Sequence, residues 1–107
     1  MVKLRLRTSR REEAIDVTER VRRAIAESGI REGTCTVFAP HTTCAIAVNE
    51  GHDPAVMEDF LNHMRGATVP ITAGALTLGQ WQSIFMCEFD GPRERSLWVS
   101  VTGEGRR

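Results

Sequence analysis

Two four-residue clusters, Thr72-Ala73-Gly74-Ala75 and Asp90-Gly91-Pro92-Arg93, divide the C-terminal half of this chain into short β-rich runs. Such connections are far too short for the crossover of a dozen or more residues that parallel strands need, so the sheets are expected to be largely antiparallel. Thr68 to Ile71 and Leu76 to Leu78 are expected to flank the first turn, and Trp81 to Phe89 and Ser96 to Val101 the second. A chain of 107 residues has room for one core only, so these strands must share it with whatever precedes them.

Upstream, Val2 to Thr8 alternates strictly, with Lys3, Arg5 and Arg7 on the wet phase, and predicts a half-buried edge strand. Ser9 to Glu13 is wholly polar and predicts a turn, and Ala14 to Val17 a short second strand. Thr18 is the expected N-cap of a helix, with Glu19 in the first turn where the dipole favours an acid. Val21, Ala24 and Ile25 form its apolar stripe, and Gly29 is expected to end it at C′ with Ile30 in contact behind. Thr34 to Ala39 and Cys44 to Val48 read as strands around a Pro40-His41-Thr42-Thr43 turn. Asp53-Pro54 signals a second helix, with Val56, Phe60 and Met64 on one face. The expected class is α+β: about seven strands in mostly antiparallel sheets, with two helices packed on or beside them.

Fourteen basic and fourteen acidic residues cancel, so no global field draws a polyanion or an anionic membrane. Arg22-Arg23 and Arg106-Arg107 read as solvated, and stacking aromatics are not interleaved with the basic residues; no nucleic-acid partner is expected. No apolar run is long enough to span a bilayer, and there is no signal-peptide pattern, so no membrane partner is expected either. Cys35, Cys44 and Cys87 are odd in number, lack C-x-x-C spacing, and lie in or against apolar runs. They read as buried reduced thiols, which predicts a cytoplasmic protein.

Three blocks in order, HTTCAIAVNEGHDP (His41 to Pro54), GALTLGQWQSIF (Gly74 to Phe85) and CEFDGPRERSLWVSV (Cys87 to Val101), resemble the YjbQ-like family. That family carries the label secondary thiamine-phosphate synthase. The resemblance implies a sandwich of two packed sheets that assembles as a homotrimer. Oligomerisation would also suit a small domain with so many apolar strand positions. Two departures stand out. Gln80 occupies the place before Trp81-Gln82 where the family usually has threonine. The family also carries a His-, Asn- and Gly-rich loop after the Asp-Pro helix, whereas here Met64-Arg65 runs straight into Gly66-Ala67-Thr68-Val69-Pro70. Either the loop between Arg65 and Gly66 is deleted, or it is a disordered segment missing from the sequence with its flanks joined.

His41, after a proline at a strand end, is the leading catalytic candidate, since a neutral imidazole can shuttle a proton or bind a metal near pH 7. Spacing alone also allows a turn histidine; the resemblance favours function, because His-Thr-Thr is one of the family's signature elements. Thr42 and Thr43 are candidate phosphate donors or turn stabilisers. Asn49 and Glu50 end the next strand near His52 and Asp53, where a helix start can also receive an anion; Asp53 reads as the cap, and His52 and His63 as surface residues. Trp81 is either core or a stacking wall for a flat heteroaromatic ring, and Gln82 is placed to read that ring's edge. Glu88 is a candidate buried carboxylate facing the site. Arg93 is a bidentate phosphate donor or an exposed turn residue.

Three functions fit these residues. The first resembles a thiamine-phosphate synthase, a transferase joining a hydroxymethylpyrimidine pyrophosphate to a thiazole phosphate. It would be weak, because the chain has no Asp-rich magnesium motif and no P-loop. The second is a metal-dependent hydrolase in which His41 and histidines of the family loop, with Glu50 or Glu88, hold Zn or Mg. The third is a non-enzymatic trimer that binds a small phosphorylated metabolite.

Overall fold

The structure is a computed structural model, and it describes residues 1–49 and 66–105. The elements follow one another as β1 (Val2–Arg7), β2 (Glu13–Asp16), α1 (Thr18–Ser28), β3 (Ile30–Phe38), β4 (Cys44–Asn49), β5 (Gly66–Thr72), β6 (Ala75–Leu76), β7 (Ser83–Glu88) and β8 (Glu94–Gly105). The class is α+β with antiparallel sheets. Among the described residues there are eight strands and one helix; the helix expected at Asp53-Pro54 lies outside them.

The strands form a five-stranded sheet, β1-β8-β3-β5-β6, and a three-stranded sheet, β2-β7-β4. β8 runs twelve residues, well past Ser96 to Val101 at both ends. It is paired along β1 on one side and β3 on the other, and those ladders extend it. β7 starts at Ser83 rather than Trp81, because Gln82 closes a turn on Gly79. The β5–β6 hairpin has Ala73 and Gly74 at its tip, both at positive φ (53° and 81°), the backbone that matches the twist of a two-residue hairpin.

Thr18 does not cap α1. Its Oγ1 accepts the Ile84 N–H at 2.8 Å, tying the helix start to β7, while Asp16 Oδ1 takes the Thr18 N–H at 2.9 Å. Val17 holds the N-cap position without a side-chain bond. At the other end Gly29 adopts the left-handed conformation expected of it, at φ 75°.

Alternation then decides what each sheet buries. Cys35, Val37, Leu97, Val99, Val69 and Ile71 from the large sheet meet Ile46, Ile84 and Met86 from the small one, with Val17, Val21, Ala24 and Ile25 of the helix segment closing the same core. Ala45, Ala47, Cys87 and Phe89 make a smaller cluster on the opposite face of the small sheet. Gly33 and Gly103 face each other across β3 and β8. A Cβ on Gly33 would lie 1.9 Å from the Thr102 carbonyl oxygen, so only glycine permits this approach. No helix among the described residues is long and apolar enough to cross a membrane.

Candidate functional site

β3 ends at Phe38 and its extrapolated register would place Pro40 opposite Ser96. Proline has no N–H, so the ladder cannot continue there. The His41 imidazole takes over the vacated edge: its Nε2 lies 3.2 Å from both the Ser96 oxygen and the Ser96 nitrogen. With a proton on Nε2 it donates to the carbonyl; with the proton on Nδ1 it accepts the Ser96 N–H. His41 therefore ends the β3–β8 ladder, and Nδ1 has no hydrogen-bond partner among the described residues.

On the other side of the turn, Glu88 closes β7 and Arg95 lies near the start of β8, across the Asp90-Gly91-Pro92-Arg93 turn. Both side chains fall on the inward phase of their strands: Glu88 follows Ile84 and Met86, and Arg95 precedes Leu97 and Val99. Glu88 is 0% exposed and Arg95 5%. Arg95 Nε donates to Glu88 Oε1 at 2.8 Å, and Nη2 donates to Glu88 Oε2, forming a bidentate pair. Nη2 also donates to Thr43 Oγ1 at 2.7 Å. Burial by itself would raise the Glu88 carboxyl; the Arg95 hydrogen bond, the Asp90 N–H and the Thr8 hydroxyl outweigh it and hold it below the usual carboxylate range. The same hydrogen bond raises the Arg95 pKa against desolvation.

Arg93 folds back on its own turn, donating from Nε to the Asp90 carbonyl and from Nη2 to Asp90 Oδ2, each at 2.7 Å. Thr8, almost fully buried, holds the Arg93 backbone: its Oγ1 accepts the Arg93 N–H at 2.8 Å and lies 3.1 Å from the Arg93 carbonyl oxygen.

Between these two turns lies an open cleft of about 580 Å³, lined by His41, Thr42, Thr43, Asp90, Arg93 and Arg95 together with Phe38, Ala39 and Pro40. The fold thus brings His41, Thr42, Thr43 and Arg93 together. Three other expected residues go elsewhere. Glu88 is not a free carboxylate, because the Arg95 pair uses both its oxygens. Trp81 is 71% exposed in the 79–82 turn and does not line the cleft. Gln82 Oε1 accepts the Gly79 N–H at 2.7 Å and braces that same turn. Asn49 ends β4 opposite Ser83; Glu50, His52, Asp53 and His63 lie outside the described residues.

The residue the sequence reading passed over is Arg95. An arginine on the apolar phase of one strand, and a glutamate on the apolar phase of the strand before it, was the signal available. Its Nη1 has no hydrogen-bond partner among the described residues, and the side chain lines the cleft. The described residues do not fit a divalent cation here. Arg93 and Arg95 line the same cleft as His41, and the one carboxylate lining it among the described residues, Asp90, is engaged by Arg93. The three cysteines are buried, with no disulfide among them; burial pushes the Cys35 and Cys87 thiols up to about 11, so neither is an effective nucleophile near neutral pH.

A family model described as UPF0047 protein YjbQ-like matches residues 2–68 and 64–104. The chain belongs to the YjbQ-like family. A UPF0047 protein of Methanothermobacter thermautotrophicus is 39% identical over 130 residues, covering 94% of this chain and 90% of its own. One from Methanocaldococcus jannaschii is 34% identical over 131 residues, covering 97% and 95%. That alignment is longer than the 107-residue chain, so the archaeal protein carries residues with no counterpart here. Among solved structures, a protein of Clostridium acetobutylicum superposes with a TM-score of 0.82 at 36% identity, covering 94% of this chain and 97% of that one. A YbjQ-like protein of unknown function from Sulfolobus solfataricus P2 gives 0.83 at 30% identity, covering 96% of each.

Proposed function

We propose that this YjbQ-like protein binds a small phosphorylated metabolite in the cleft between the 39–43 and 90–93 turns. The observation that carries the reading is Arg95. A nearly buried guanidinium, fixed by Glu88 and Thr43, lines the cleft with its Nη1 donors still free among the described residues. A dianionic phosphate is the natural acceptor for such donors. Arg93 stands beside it and can exchange its exposed Asp90 contact for the ligand, because a surface ion pair contributes only about 0–1 kcal/mol. The Thr42 hydroxyl and His41 complete the wall.

The transferase reading has less behind it. Trp81 and Gln82, the residues expected to hold the pyrimidine, do not line this cleft, and Glu88 is committed to Arg95. The homotrimer implied by the resemblance belongs to the proposal, and light scattering at three times the 11.9 kDa chain mass tests it.

Inorganic phosphate and pyrophosphate are the probes for the cleft. Pyrophosphate at 100 times its Kd should stabilise the protein by about 2.7 kcal/mol in thermal or urea unfolding. Arg93→Gln and Thr42→Val should each weaken that stabilisation, with no substrate turnover by the wild type. No stabilisation by millimolar pyrophosphate, or an undiminished effect in Arg93→Gln, overturns the proposal.

A further inference from the structure

Among the described residues the cleft sets one carboxylate, Asp90, beside two guanidinium groups, Arg93 and Arg95. Their relation is fixed from below. Glu88 Oε2, which receives Arg95 Nη2, also accepts the Asp90 N–H at 3.1 Å, so one buried oxygen anchors both the guanidinium and the turn that carries Asp90. The turn is pinned from behind as well. The Gly91 N–H donates to the Arg11 carbonyl at 3.0 Å, and a Cβ on Gly91 would lie 2.3 Å from the Arg10 carbonyl oxygen, an approach only glycine permits. Asp90 therefore stands on a preorganised support beside Arg95.

The Asp90 carboxylate is only half engaged. Oδ2 accepts Arg93 Nη2 at 2.7 Å, Oδ1 has no partner among the described residues, and the side chain is 44% exposed where it lines the cleft. When Arg93 turns to a bound phosphate, Oδ2 loses its donor too. A phosphate dianion cannot replace that donor, because it and the carboxylate both only accept. A ligand made of phosphate alone therefore leaves Asp90 unpaired next to a second anion. A ligand ammonium would satisfy Asp90 but meet the repulsion of two guanidinium groups. A hydroxyl donates without adding charge, and opposes neither neighbour. His41 has the same preference. Its Nε2 serves the Ser96 peptide, which leaves Nδ1 an acceptor in one tautomer and a donor in the other. A hydroxyl pairs with either form, a phosphate oxygen only with the second.

We infer that Asp90 determines specificity in this cleft, and that the metabolite is a phosphate ester of a polyhydroxyl body, a sugar or polyol phosphate. This rests on the phosphate reading above. The phosphate takes the donors of Arg95 Nη1 and Arg93, one ligand hydroxyl donates to Asp90, and another meets His41 Nδ1. The open cleft of about 580 Å³ has room for a pentose with its phosphate. Trp81, the indole expected to stack on a flat heteroaromatic body, does not line it.

The test is isothermal titration calorimetry of the full chain with ribose 5-phosphate, ethyl phosphate, phosphoethanolamine and pyrophosphate. Ethyl phosphate has the ester but no hydroxyl, and phosphoethanolamine carries an ammonium in place of hydroxyls. Ribose 5-phosphate is expected to bind at least about tenfold more tightly than ethyl phosphate, the effect of a hydrogen bond to a charged group. Asp90→Ala should cut that preference to about threefold or less by weakening ribose 5-phosphate alone, while ethyl phosphate binds at least as tightly as before. Asp90→Asn, which keeps a carbonyl acceptor without the charge, should fall between. A merely structural role of Asp90 would weaken both ligands in parallel, and that result overturns the inference. Tighter binding of phosphoethanolamine than of ribose 5-phosphate overturns it too, and assigns Asp90 to an ammonium. Binding of pyrophosphate and ethyl phosphate with no gain for ribose 5-phosphate removes this inference and leaves the phosphate reading standing; no binding of any of the four removes both.

Discussion

Replacing Glu88 by glutamine leaves the shape of the site almost intact and removes one charge. The carboxylate is 0% exposed and the guanidinium it faces 5%, so neither can be rehydrated in place. At an effective dielectric near 20, two unit charges about 4 Å apart interact by about 4 kcal/mol. Removing one partner of a buried pair costs about 3–5 kcal/mol, chiefly because the other charge is left buried and uncompensated. Arg95 keeps its bond to Thr43 Oγ1, and glutamine keeps one carbonyl acceptor, which places Glu88→Gln toward the lower end, about 3 kcal/mol. Replacing both residues, Glu88→Leu with Arg95→Met, removes the stranded charge and should recover most of that loss while abolishing pyrophosphate binding. Urea unfolding at fixed protein concentration and pH 7 measures all three proteins. The sign of the pH effect follows from the direction of the Glu88 shift. Its folded-state carboxyl is held below its ordinary value of about 4.3, so its contribution is complete above that value. It is lost as pH falls through the lower, folded-state pKa, and the acid limb of Glu88→Gln should be flatter than that of the wild type. A Glu88→Gln protein within about 1 kcal/mol of wild type, or a double variant no more stable than the single, would refute the buried-pair argument.

Three other substitutions separate structural from ligand-facing roles. Gly33→Ala forces a Cβ to 1.9 Å from the Thr102 carbonyl oxygen, so the β3–β8 ladder must shift; the protein should lose about 1–3 kcal/mol in the same unfolding assay. Thr8→Val keeps the volume but leaves the Arg93 N–H without its acceptor, which should cost about 1–3 kcal/mol and weaken pyrophosphate binding by freeing the turn that presents Arg93. Trp81→Ala, at a 71% exposed turn position, should change stability by no more than about 0.5 kcal/mol and leave pyrophosphate binding unchanged in calorimetry.

The features legible in the sequence were those set by neighbours along the chain. Period-two alternation placed β1 and the apolar phase of β8, Gly29 marked the end of α1, and the Thr-Ala-Gly-Ala turn announced the β5–β6 hairpin, whereas the Asp-Gly-Pro turn carries the chain from β7 in the small sheet to β8 in the large one and pairs neither with the other. His41, Thr42, Thr43 and Arg93, singled out from two turns and, for His41, through the family resemblance, line one cleft. Thr18 was misplaced as a cap because its acceptor role is satisfied by Ile84, sixty-six residues away. Trp81 read as either core or a stacking wall; it is not core, because the 79–82 turn leaves it 71% exposed.

The sequence by itself determined the class, the β5–β6 hairpin, most strand positions and, through three ordered blocks, the family. The tertiary structure alone decided that Arg95 turns inward onto Glu88 and Thr43, and that His41 closes the β8 edge at Ser96. The reason is physical. Alternation tells which face of its own strand a side chain occupies, but its partner is set by sheet order and register. Those are fixed by the packing of the whole core, including strands more than fifty residues away.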